Sequence, residues 1–267
     1  MRALSPVPLQ RTMIAVDIEG STTRNNYDTA ILRNDLYDIF EAALEACGIT
    51  KDLRDQPTDR GDGLIAFIHP VDQAPKTLVV STFIPALHRL LGKHAADHPK
   101  REFRLRVAIH AGDAHFDPRG AFGEDVNITA RLVDAPELKE ALRQTCEPLV
   151  LVVSDHIHRS VVRQGYDGID EETFKPLVQL DVGGQPYRGW VQLSTEAQAI
   201  SRTIPLIDRA YSRARSASRS ASLAAGRAQV ARLRRRTSIT SKVIEDLTKK
   251  DDPDDDSTEP TPTLRSG

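Results

Sequence analysis

The chain has 267 residues, 39% of them hydrophobic, which is enough for one large core or two small ones. No apolar run approaches the roughly 20 residues of a membrane span, and Met1-Arg2-Ala3-Leu4-Ser5-Pro6 lacks the apolar core of a signal peptide, so the expected location is cytoplasmic. Cys47 and Cys146 are too few for a disulfide framework and lack zinc-ligand spacing; both are expected to be small core residues. The net charge of −2 hides a segregation: residues 201–250 hold thirteen Lys or Arg against three acids, while 251–267 hold six acids against one Arg.

In chain order, residues 12–18 read as a first strand ending at Gly20. From Asp28 to Ala46, Ile31, Leu36, Ile39, Phe40 and Leu44 recur near the 3.6-residue period of an amphipathic helix. Asp59 to Ile68 reads as a Gly-flanked turn, Asp-Arg-Gly-Asp-Gly, leading into a second strand. Pro75 and Pro85 bracket apolar positions that continue as a second helix, with Gly92-Lys93-His94 as its stop. Residues 103–110 alternate as a strand, with Arg104 and Arg106 on one face and Phe103, Leu105 and Val107 on the other. A third helix starts at Asp125, and 148–154, 174–182 and 190–193 read as further strands. This alternation predicts an α/β domain over 1–195, and the composition beyond it a basic Ala/Arg/Ser-rich helical extension over 196–250 and an acidic disordered tail over 251–267.

Three segments carry chemistry. Asp17 and Asp62 each stand where an apolar strand meets a Gly-containing turn, and two carboxylates at neighbouring strand ends can hold hard cations through oxygen ligands. Either alone reads equally well as a solvated turn aspartate. In Gly123-Glu124-Asp125-Val126-Asn127-Ile128-Thr129-Ala130-Arg131, Asn127 and Arg131 lie four residues apart and share one helix face. That pair alone is also compatible with an ordinary polar face.

Together these segments resemble a known family. Ala15-Val16-Asp17-Ile18-Glu19-Gly20-Ser21-Thr22, Arg60-Gly61-Asp62-Gly63, Leu105-Arg106-Val107-Ala108-Ile109-His110-Ala111-Gly112 and Asp125-Val126-Asn127-Ile128-Thr129-Ala130-Arg131-Leu132 are similar, in order and approximate spacing, to the motifs of class III nucleotidyl cyclase catalytic domains over about residues 10–195. The resemblance implies an α+β fold with a ferredoxin-like βαββαβ core and a mixed, mainly antiparallel sheet with helices on one face. It implies two divalent cations, Mn²⁺ or Mg²⁺, held by Asp17, Asp62 and the Ile18 carbonyl, which help deprotonate the ribose 3′-hydroxyl for in-line attack on the α-phosphorus. The backbone of Glu19, Gly20, Ser21 and Thr22 is expected to cradle the β- and γ-phosphates. Asn127 resembles the residue that orients the ribose, Arg131 the one that stabilises α-phosphate charge, and Arg106 a phosphate-binding arginine. The family shares its site between protomers, which implies a head-to-tail homodimer.

Two positions depart from the family pattern. Its purine enzymes read the base with a Lys four residues before the second metal aspartate and an Asp, Thr, Ser or Cys seven before the ribose-binding Asn; here these are Thr58 and Gly120. On an extended strand, Thr58, Arg60 and Asp62 are expected to line one side of the site. Arg60 is then the candidate base reader, and a guanidinium, all donor, suits the O2 and O4 acceptors of uracil better than the cytosine amine. Its other reading is neutralisation of Asp59 or of the aspartate cluster. The chain resembles the pyrimidine cyclases of the Pycsar antiphage systems, including a late Gly189-Trp190-Val191-Gln192-Leu193. That resemblance implies UTP as favoured substrate, cyclic UMP as second messenger and a separate downstream cyclic-nucleotide effector. Cyclic CMP synthesis, an adenylate cyclase with atypical base contacts and a non-catalytic nucleotide-binding module are the alternatives. The basic run Arg232-Leu233-Arg234-Arg235-Arg236 lacks interleaved aromatics, which favours a solvated helix face over nucleic-acid binding.

Overall fold

The computed structural model of the protein describes residues 7–193; the boundary expected at 195, the basic extension over 196–250 and the acidic tail over 251–267 lie outside the described residues. Strand β1 (Leu9–Ile18) is central. It pairs antiparallel with β3 (Gly63–Ile68) on one side and with β4 (Leu105–Asp117) on the other. Because β1 is covered on both faces, its middle reads as a continuous apolar run, with Met13 to Val16 each no more than 2% exposed.

Helix α1 (Asn26–Ala46) follows β1. Asn25 caps it by accepting from the Asp28 N–H at 2.9 Å, while its own amide donates to the Asp28 carboxylate at 2.8 Å, so cap and first turn satisfy one another. The chain returns through β2 (Thr58–Asp59) and β3, then a helical stretch made of α2 (Lys76–Leu78), a π turn (Val79–Phe83) and α3 (Ile84–Asp97). The helix therefore runs through Gly92 instead of stopping there, since Leu90, Leu91 and His94 keep its apolar face buried. After β4 come β5 (Gly120–Phe122), α4 (Glu124–Val133), α5 (Pro136–Arg143), β6 (Leu149–Ser154), α6 (Asp155–Ser160) and the hairpin β7 (Phe174–Val182) and β8 (Gln185–Gln192). Gly183 and Gly184, both at positive φ, make the two-residue turn of that hairpin.

The strand order is β2-β3-β1-β4-β6-β8-β7, with β5 paired to β4 off this path; β4 and β6 are parallel and every other pair is antiparallel. The mixed, mainly antiparallel α+β architecture is as expected. Helices, however, lie on both faces of the sheet. Ile14, Val16 and Ile18 pack into one core with residues of α1, α3 and α6, while Met13, Ala15, Ile65 and Ala108 pack into another with residues of α4 and α5. The reason is the pleat: alternate residues of β1 and β4 are apolar on both sides, and each apolar face needs a cover. The cysteines differ from expectation too. Cys47 is partly buried beside the core, and burial pushes its thiol up to about 12, whereas Cys146 is exposed.

Candidate functional site

The face covered by α4 and α5 carries Asp17. Residues two apart on β1 share a face, so Asp17 continues the column Met13, Ala15; its partners in register are Gly63 on β3 and Arg106 on β4. Arg106 ion-pairs with Asp17, and both are largely buried, with side-chain exposures of 12% and 19%. Burial lowers the Arg106 pKa, and the charge of Asp134 opposes that shift.

Asp62 reaches the same place from the β2–β3 turn. That turn is closed by the Arg60 N–H donating to the Gly63 carbonyl at 2.9 Å, with Gly61 at φ +89°. It is locked to β1 because the Ile18 N–H donates to the Asp62 carbonyl at 3.1 Å. Gly63 permits this approach: a Cβ there would lie 2.1 Å from the Val16 carbonyl oxygen. Beyond β1, Gly20 at φ +66° turns the chain into a 3₁₀ turn, Ser21–Thr23, and the Ser21 hydroxyl donates to the Asp62 carboxylate. Asp17, Ile18, Gly20, Ser21, Thr22, Arg60, Asp62 and Arg106 thus line one cavity of about 430 Å³.

The cradle is shorter than expected. The Glu19 N–H is spent on the Arg104 carbonyl at 3.0 Å, and the Glu19 carboxylate is clamped by the Arg104 guanidinium at 2.8 and 2.9 Å, so Glu19 anchors the turn instead of facing a ligand. The N–H groups of Gly20, Ser21 and Thr22, ahead of or within the first turn, remain for an anion. Arg104 was legible only as a strand-face residue. It also donates to the Leu142 and Thr145 carbonyls at 3.0 and 2.6 Å, tying the end of α5 to this turn.

For a divalent cation the donor set is chemically suitable: two carboxylates at adjacent strand ends, with Ile18 beside them, are hard oxygen ligands. Among the described residues no group of three or more His, Cys, Asp and Glu is placed to hold a metal. Cations held by Asp17 and Asp62 therefore need oxygen ligands from phosphate or water.

The expected base contacts divide. β2 ends at Asp59, so the strand alternation does not extend to Arg60 and Asp62; Thr58 stands opposite Ile65 in the β2–β3 register. Arg60 and Asp62 line the cavity, as does Ile65, the register partner of Thr58; Thr58 itself lies beside the β4–β5 turn, where a Cβ on Gly120 would lie 3.8 Å from its methyl. The two positions that depart from the purine pattern are therefore neighbours. Arg60 is not needed by Asp59, whose carboxylate is held down at about 2 by Arg33, with the Gly61 N–H at 2.8 Å and the Tyr37 hydroxyl at 3.0 Å adding to the effect.

Asn127 and Arg131 share an exposed face of α4, as the four-residue spacing predicts, but they are not brought to Asp17 and Asp62. Ala130 and Val133 of the same helix line the cavity, and the Arg131 guanidinium donates to the Asp181 carbonyl at 2.8 Å. Helix α4 itself is pinned from beneath. The Asp125 carboxylate accepts from the Asp113 N–H at 2.7 Å and pairs with the His110 ring at 2.8 Å, and the other nitrogen of that ring meets the Ser154 hydroxyl at 2.8 Å. Burial alone raises the Asp125 pKa, but His110 and the Asp113 N–H outweigh it and lower the value.

Sequence reading missed two residues of the site. Asp134, at the C-cap of α4, and Lys139, on α5, line the Asp17 cavity and pair with each other. Ala135-Pro136-Glu137 carried the signal, since Pro and an acid in the first turn mark a helix start.

No family model and no curated protein matches the chain. Solved structures do. The guanylyl cyclase Cya2 superposes with a TM-score of 0.50 at 13% identity, covering 73% of this chain and 96% of that one. An adenylate/guanylate cyclase/hydrolase from Silicibacter pomeroyi matches at 21% identity, TM-score 0.48, covering 71% of this chain and 99% of that one. The adenylyl cyclase CyaB from P. aeruginosa matches at 18% identity, TM-score 0.49, covering 71% and 96%. At these identities the likeness is one of fold, and the chain shares the fold of the Cya2 guanylyl cyclase domain.

Proposed function

We propose that the protein is a nucleotide cyclase that converts UTP to 3′,5′-cyclic UMP and pyrophosphate. The observation that carries the reading is the convergence of Asp17, Asp62, Arg106 and the Gly20–Thr22 turn on one cavity, which combines cation ligands, a phosphate-binding guanidinium and backbone N–H donors. The fold shared with Cya2 is consistent with it.

Two divalent cations at Asp17 and Asp62, when bound, would supply charge neutralisation at the phosphates and acidify the ribose 3′-hydroxyl. The chain's own residues divide the remaining work. Gly20, Ser21 and Thr22 donate to the terminal phosphates, Arg106 turns from Asp17 to phosphate oxygens, and Arg60 donates to the uracil carbonyls. Asn127 and Arg131 act on the substrate held by a partner copy, Asn127 orienting the ribose and Arg131 stabilising α-phosphate charge. Their exposure on α4, away from their own Asp17, supports a head-to-tail homodimer with two shared sites. The preference for uracil rests on Thr58 and Gly120 in place of purine readers and on Arg60 having no duty toward Asp59. Cytoplasmic synthesis of cyclic UMP for a separate effector in antiphage defence rests on the sequence resemblance to Pycsar cyclases.

The test is purified protein with Mn²⁺ and each of the four nucleoside triphosphates, products identified by mass spectrometry. Cyclic UMP is the expected main product; predominant cyclic AMP overturns the pyrimidine assignment, and no cyclic product from any of the four overturns the cyclase.

A further inference from the structure

Lys139 belongs to α5, an element the cyclase motifs do not include, and it lines the cavity that also holds Asp17, Asp62 and the Gly20–Thr22 turn. Its ammonium pairs with the Asp134 carboxylate, whose side chain is 73% exposed, and such a pair is weak and readily exchanged. Asp134 sits at the C-cap of α4, where the helix dipole disfavours a negative charge, and the Lys139 ammonium offsets that charge while the cavity is empty. Arg106, by contrast, is buried against Asp17. Lys139 is thus a cation in this cavity that can change partner at little cost.

Its backbone position is fixed relative to the turn. Leu138, Ala141 and Leu142 bury α5 against the sheet, and Arg104 holds both the Leu142 carbonyl and the Glu19 carboxylate, so one guanidinium sets the distance between α5 and the loop at 19–23. A flexible lysine on a fixed helix beside a row of free N–H groups is suited to a compact polyanion.

We propose that Lys139 binds the terminal phosphates of the nucleotide and of the pyrophosphate product, and that Asp134 is the competitor that holds Lys139 when the cavity is empty. The proposal rests on the cyclase reading only in taking this cavity as the triphosphate site. Inorganic pyrophosphate in the presence of Mg²⁺ serves as the probe, titrated calorimetrically into the full chain, so that no turnover is needed.

The two side chains then have opposite effects. Lys139→Ala weakens pyrophosphate binding by about tenfold, the loss of one charge-assisted contact. Lys139→Arg restores most of it. Asp134→Asn tightens binding by a few fold, because the lysine no longer has a competing partner. Circular dichroism and thermal melts identify any variant that has lost its fold. Unchanged affinity in Lys139→Ala, or weakening in Asp134→Asn, overturns the role of Lys139 while leaving the site itself standing. Failure of the unaltered chain to bind pyrophosphate overturns both the role and the reading of the cavity.

Discussion

The backbone of Asp62 is held by contacts that do not depend on its charge: its carbonyl accepts from the Ile18 N–H, and the turn around it closes through Arg60 and Gly63, while among the described residues its carboxylate accepts only from the Ser21 hydroxyl. Removing the carboxylate should therefore spare the fold. Asp62→Ala is expected to cut cyclic-nucleotide formation by at least about a hundredfold with a melting temperature close to that of the parent, as product assay and calorimetry would read. Asp59, three residues earlier, is a contrasting aspartate. Its low folded pKa of about 2, set first by Arg33, means that its contribution to stability is complete above the ordinary value near 4 and disappears as pH falls through about 2. A carboxyl-carbon NMR titration should find that value, and Arg33→Ala should return it toward the ordinary range. Arg60, which Asp59 does not need, should act on the base: Arg60→Ala is expected to lower kcat/KM for UTP about tenfold while pyrophosphate affinity changes little.

At the scale of elements, α4 is placed by a fit between a glycine and a carboxylate. A Cβ on Gly112 would lie 2.2 Å from the Asp125 carboxyl carbon, so β4 can carry only glycine there while Asp125 reaches the Asp113 N–H. Gly112→Ala should destabilise the chain by about 1–3 kcal/mol through overpacking. Adding Asp125→Ala to it should cost less than the sum of the two single changes, because the clash then has no second partner; denaturant melts of the four proteins form the cycle. Gly63 is less forgiving, since the obstacle there is backbone of β1 and cannot rotate away.

At the scale of the molecule, the residues that the proposed mechanism joins lie apart in the chain's fold: Asp17 and Asp62 line the cavity, while Asn127 and Arg131 stand on an exposed helix face. If a second copy completes each site, Asp17→Ala and Arg131→Ala should each be inactive alone, and mixing them in equal amounts should restore about a quarter of parental activity, from heterodimers with one intact site. Absence of recovery, with subunit exchange shown by mass spectrometry, would exclude the shared site.

Sequence alone determined the local chemistry. The strand ending at Asp17, the Gly-flanked Asp62 and the shared face of Asn127 and Arg131 are fixed by apolar runs, glycines and helical spacing, all short-range signals. The parity that puts Arg106 opposite Leu105 and Val107 was likewise legible from alternation. What only the tertiary structure decided were relations between distant segments. Glu19 is withdrawn from the cradle because Arg104, on another strand, has a stronger use for it. Thr58 comes to lie beside Gly120, far along the chain, and Lys139 enters because α5 packs where no motif marked it. Periodicity reports which face a residue shares with its chain neighbours, whereas these outcomes depend on which strands are adjacent and which helix covers them, and that is set by packing across the whole sheet.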